Sequence, residues 1–105
     1  VYMENNLENN DFILYASSKS DTVKFATALS HKFMYEYNSI GNEALVEIRA
    51  VGAGAVNQAI KSIALARGFV SKSDINLICI PVFGEFTMRD GSTRSGMRLI
   101  LRAER

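Results

Sequence analysis

The sequence predicts an α/β sandwich, that is, a two-layer α+β fold in the order β-α-β-α-β-β, with a four-stranded mixed sheet and two helices on one face. Three observations carry this. Two stretches, at about 21–37 and 55–68, repeat apolar residues at helical spacing, and short β-prone runs stand before, between and after them. An Asp90-Gly91 pair then marks a hairpin between the last two strands. A length of 105 residues suits one domain, and 48% hydrophobic with 22% charged residues suits one core.

Residues 1–11 are polar, Asn-rich and without apolar period, so the folded unit is expected over 12–105 behind a flexible acidic tail. Residues 12–16 read as the first strand, bounded by Ser17, Ser18 and Ser20. Ser20 or Asp21 can cap the first helix, whose stripe is Phe25, Ala26, Leu29 and Phe33. Residues 44–51 read as a strand in which Glu47 and Arg49 alternate as polar positions. Gly52 and Gly54 turn the chain into a second helix with Val56, Ala59, Ile60, Ile63 and Ala64 as its apolar set and Gly68 as its stop. Residues 75–82 are almost wholly apolar, which predicts a central strand ending at Pro81. Residues 83–88 extend it, and 97–101 return as the last strand.

Net charge is +1, unevenly spread. Glu4, Glu8 and Asp11 give the tail −3, so the remainder holds 12 bases against 8 acids, or +4. Arg89, Arg94, Arg98, Arg102 and Arg105 concentrate near the end. This balance permits nucleic-acid binding without requiring it. No apolar run approaches the roughly 20 residues of a membrane span, and no signal-type segment opens the chain, so cytoplasmic residence is expected. Cys79, the one cysteine, reads as a buried structural thiol in a reducing compartment.

Enzymatic groups are sparse. His31 is the single histidine, no CxxC or GxSxG occurs, and the carboxylates are scattered. The expectation is a non-enzymatic protein without cofactor or metal. Three elements could instead meet an anion. The turn Gly52-Ala53-Gly54 opens a helix, where backbone N–H groups favour phosphate, although neither a full dinucleotide fingerprint nor a Walker pattern is present. A tight turn for packing explains the same glycines. Asn57, Gln58 and Lys61 follow on that helix, Asn57 and Lys61 sharing a face. Ser18 and Lys19 lie before the first helix, and Arg89 and Arg94 flank the hairpin tip. Capping and solvation would account for these as well.

The run from Ala50 to Lys61 (AVGAGAVNQAIK), with Ala64 to Val70 (ALARGFV) and Leu77 to Pro81 (LICIP), closely resembles the stage V sporulation protein S family. Ser17 to Ser20, Ala26, Ala28, Leu29, Asp90-Gly91 and Arg94 match as well, so the resemblance covers about 12–102. It implies an Alba-like fold, whose members bind DNA or RNA as dimers through the first loop, the second helix and the hairpin arms. By that resemblance Ser18, Lys19, Asn57, Gln58, Lys61, Arg89 and Arg94 are expected nucleic-acid contacts, joined by the backbone N–H groups near Gly52 and Gly54 that the turn itself suggests. The implied role is regulation of sporulation or development by a homodimer or homotetramer. An oligomeric protein–protein module, joined through Leu65, Phe69, Phe83 and Phe86, is the alternative. Three features depart from the family: the acidic tail, a longer segment at about 31–43, and Ser92 and Thr93 where acidic residues are common.

Overall fold

The computed structural model describes residues 12–104; the expected tail over 1–11 lies outside them. The elements are β1 (Ile13–Ala16), α1 (Thr22–Ile40), β2 (Leu45–Ala50), α2 (Ala53–Ser71), β3 (Leu77–Thr87) and β4 (Thr93–Ala103). One sheet runs in the order β1-β2-β4-β3. β1 pairs with β2 in parallel, and β4 pairs antiparallel with both β2 and β3. Both helices pack on one face, so the expected two-layer architecture is what the chain forms.

The core follows from strand alternation meeting helical period. Val46 and Ile48 of β2, Leu77 of β3, and Leu99 and Leu101 of β4 point to the helices. Ala26, Leu29 and Phe33 of α1 and Ala59, Ile63, Ala66 and Val70 of α2 meet them. The small Ala side chains let α2 lie close to the sheet. Ile60, expected in this stripe, is half exposed, and the buried Ser62 satisfies its hydroxyl by donating to the Gln58 carbonyl at 2.8 Å.

α1 starts at an Asp21 cap whose carboxylate accepts from the Lys24 N–H at 3.0 Å. It runs three residues past the expected end, to Gly41 at φ 68°. The segment at 31–43 is therefore the close of α1 plus a 3-10 turn (Gly41–Glu43), and Phe33 stacks on Tyr37 within it.

Three expectations are corrected. Gly68 does not stop α2; it sits inside the helix, and the chain turns at Asp74, a non-glycine residue at φ 61°. The apolar run 75–82 is not a central strand. β3 is an edge, and its run is apolar because Ile78 and Ile80 lie on the sheet face opposite the helices. Pro81 is inside β3 and not at its end. Met88 donates to the Ser92 carbonyl at 2.8 Å, and hydrogen-bonded pairs alternate along the ladder, so Pro81 opposite Leu99 falls where no donor to β4 is needed.

β3 and β4 have eleven residues each, about 36 Å of strand, and beyond Met97, where the pairing of β4 with β2 ends, the two continue as an arm. The arm closes through Arg89, Asp90 and Gly91, with Gly91 at φ 87° and the Asp90 carboxylate accepting from the Ser92 N–H and hydroxyl. Those bonds hold the exposed Asp90 carboxyl below its ordinary pKa. Phe86 anchors the arm's base. It folds over the cross-strand pair Gly84 and Gly96, where added Cβ atoms would lie 2.9 and 3.0 Å from its ring. Phe86 is consequently 4% exposed.

Two glycines test this reading in opposite directions. In Gly96→Ala the new Cβ meets the Ala50 carbonyl oxygen at 2.6 Å, so urea unfolding should show a loss of about 1–3 kcal/mol. Gly68→Ala meets nothing within 4 Å and should gain about 0.5–1 kcal/mol from helix propensity. A neutral Gly96→Ala would contradict the anchoring of the arm.

Candidate nucleic-acid interface

Three loops meet at the C-terminal ends of β1 and β2. The β1–α1 loop, the turn into α2 and the arm together line a cleft of about 510 Å³. Ser17 and Ser18 come from the loop, Gly52, Gly54 and Ala55 from the turn, and Phe86, Met88 and Arg94 from the arm. Tyr15 and Arg49 complete it from the outer face of the sheet.

The glycines are needed for distinct reasons. Gly52 caps α2 at φ 95°, a conformation that side chains resist. Gly54 has an ordinary φ, but a Cβ there would lie 2.8 Å from the Ser18 Cβ. The first loop thus rests directly on the first turn of α2, and Gln58 fastens it by donating to the Ser20 carbonyl at 2.9 Å. The two helix N-termini then differ. The Asp21 carboxylate covers that of α1, whereas α2 has no side-chain cap and no acid in its first turn. The partial positive charge of α2 is therefore directed at the cleft without an internal anion to neutralise it.

Arg49 is held by neighbours on the outer face. Its Nε donates to Glu47 Oε2 at 2.6 Å, and its guanidinium lies 5.8 Å from the centre of the Phe86 ring. Arg98 grips the same carboxylate with two bonds, 3.0 and 2.9 Å long. The Arg49 and Glu47 side chains are only 7% and 15% exposed. Burial would raise the Glu47 pKa, but the hydrogen bonds from Arg98 and Arg49 and their charges outweigh it, and the net direction is down. One ion cluster thereby ties β2 to β4 and fixes Arg49 over the arm's aromatic anchor.

Of the residues expected from sequence, Ser18, Gly52, Gly54 and Arg94 come together in the cleft. Lys19 is exposed beside it, its N–H donating to Ser17 Oγ. Gln58 is engaged with the loop, and Asn57 donates to Gln58 Oε1 at 3.4 Å. Lys61 is exposed eight residues into α2, about 12 Å along the axis, and Arg89 stands at the arm's tip. The loop serines largely serve the loop: Ser20 Oγ accepts from the Ser17 N–H at 2.9 Å. Tyr15, Arg49, Phe86 and Met88 were not singled out as site residues; only their strand positions hinted that they share the outer face. Cys79 is half-buried, not buried, and burial pushes its thiol pKa up. Among the described residues, no three His, Cys, Asp or Glu side chains are grouped to hold a metal ion, and no helix is long and apolar enough to cross a membrane.

A family model described as "Stage V sporulation protein S (SpoVS)" matches residues 12–104. The solved structure of Alba from Thermoplasma volcanium superposes with a TM-score of 0.54 at 16% identity, covering 86% of this chain and 98% of that one. At that identity the likeness shows a common fold, and the Alba-like architecture implied by the sequence is the one observed.

The ion cluster makes a pH prediction. A carboxylate with a depressed folded pKa stabilises the protein above its unfolded value, near 4.5, and loses that contribution as pH falls through the folded value. Glu47→Gln should cost about 2–3 kcal/mol near neutrality, and its deficit relative to wild type should shrink on acidification below pH 4.5. Urea titrations across that range measure both. Equal stability at neutral pH would contradict the structural role given to the cluster.

Proposed function

The chain belongs to the stage V sporulation protein S family, and we propose that it is a non-enzymatic regulatory protein that binds DNA or RNA through phosphate contacts, in sporulation or developmental gene control. The observation that carries this reading is the cleft, where four of the nine residues expected to meet nucleic acid converge from three separate segments. An uncapped helix N-terminus, open space over Gly52 and Arg94 give it the chemistry of a phosphate cradle. Lys19 beside it, Lys61 along α2 and Arg89 on the arm extend positive charge beyond one phosphate. A nucleic-acid strand, with its repeated anions, matches that spread better than a single small ligand does.

A second reading, self-association as a homodimer or homotetramer, has its own support. β3 is an edge strand with Phe83 84% and Ile80 40% exposed, and Ile60 of α2 is 48% exposed. Ile60 lies seven residues before Arg67, which bonds the Leu77 carbonyl of β3 at 2.7 Å, so it shares the β3 side of the helix. Leu65 and Phe69 lie seven and eleven residues after Gln58, on the side of the first loop, and Phe86 is buried. This favours a contact centred on Ile60 and Phe83, since position 83 alternates with Leu77 to the helix side of β3 while Ile80 faces the other way. Self-association and nucleic-acid binding use separate surfaces and are compatible.

Binding titrated against salt tests the proposal. Each true phosphate contact among Lys19, Lys61, Arg89 and Arg94 should lower the log–log salt slope by about 0.9 on duplex DNA, or about 0.7 on a single strand, when changed to Ala. Unchanged binding by Lys61→Ala/Arg94→Ala at low salt would contradict it. In light scattering, Phe83→Asp should reduce the assembly, while an oligomer that retards no nucleic acid at any salt would favour the interaction module.

A further inference from the structure

Resting on the phosphate-binding reading above, we infer that the cleft accepts an unpaired base, stacked on Tyr15, so that single-stranded nucleic acid is its preferred ligand. The cleft offers two kinds of surface. Ser18, Gly52, Gly54 and Arg94 are polar or cationic, while Tyr15 and Met88 supply apolar surface. A nucleotide divides in the same way, into an anionic phosphate and a flat, weakly solvated base.

Tyr15 lies on the helix-free face of the sheet, in register with Arg49, and is 55% exposed where it lines the cleft. Its neighbour Arg49 is pinned by Glu47 and by the Phe86 ring, so the surface beside Tyr15 is set before a ligand arrives. A volume of about 510 Å³ lies within the roughly 300–1,000 Å³ of small-ligand sites. That space admits a nucleotide, and the first loop and the arm both line it. A base stacked within a duplex cannot reach Tyr15; an unpaired base can, and any of the four offers a π-face.

Fluorescence anisotropy with one labelled 12-nucleotide strand, free or annealed to its complement, tests this at fixed salt. The proteins are wild type, Tyr15→Ala, Tyr15→Phe and Arg94→Ala, with thermal melts confirming that each is folded. The free strand should bind more tightly than the duplex. Tyr15→Ala should weaken free-strand binding roughly 5- to 100-fold, with duplex binding and salt slope unchanged, because stacking releases no counterions. Tyr15→Phe should retain affinity, since it keeps the ring. Arg94→Ala should lower the salt slope. If Tyr15→Ala leaves free-strand affinity intact, or weakens both ligands equally, the stacking site is wrong while the phosphate reading stands. Binding of neither ligand at low salt would reject the phosphate reading and this inference with it.

Discussion

The base of the hairpin arm is held against the body by Phe86 lying across Gly84 and Gly96, with the Arg49 guanidinium beside its ring. A hairpin arm projecting from a small sheet would otherwise swing about its last ladder bonds. Two missing side chains make the space, an aromatic ring fills it, and an arginine already committed to Glu47 closes it. The cost is local: an ion cluster is partly withdrawn from water, and it is offset because every charge in it has a charged hydrogen-bond partner. What results is an arm whose wall stands at a set distance from the turn into α2.

That turn is constrained from the other side. Gly54 lets Ser18 approach to a distance no side chain would allow, and Gln58 bonds across to Ser20. Two loops with no sequence proximity therefore act as one edge, facing the arm. The electrostatics follow from which helix is capped. Asp21 neutralises the start of α1, while α2 begins with Gly, Ala and Gly and sends its partial positive charge outward. Net charge of only +1 is enough for such a site, because fixed dipoles and one or two arginines act at close range where a diffuse basic surface would not.

The order of elements was legible because α1 and α2 are amphipathic and Asp90-Gly91 closes a hairpin. Gly52 was legible too, since a strand, a glycine and a helix in succession demand a sharp turn. The position of β3 was not. A run such as LICIPVF reads as central because both faces are apolar, yet the second face is the open one, and nothing local distinguishes an apolar edge from a covered strand. Gly68 misled for a related reason: glycine stops helices often, but here packing by Ala66 and Val70 carries α2 through it. Glu47 and Arg49 look like solvent-facing alternation, and only the pairing of β2 with β4, which sets Arg98 opposite Arg49, turns them into an ion cluster. Within the site, the glycines, Ser18 and Arg94 could be named from sequence. Tyr15 and Met88 could not, because their role depends on the space between two loops.

The claim beneath all of this is that the first loop, the turn into α2 and the arm form a single binding surface. Amide chemical shifts of the nitrogen-15-labelled protein, followed during titration with a short single-stranded oligonucleotide, examine it most directly. The account predicts that Ser18, Gly52, Gly54, Met88 and Arg94 move together along one saturating curve, while β3-edge residues such as Ile80 and Phe83 stay still. Shifts centred on that edge, or a loop and an arm that titrate independently, would contradict it.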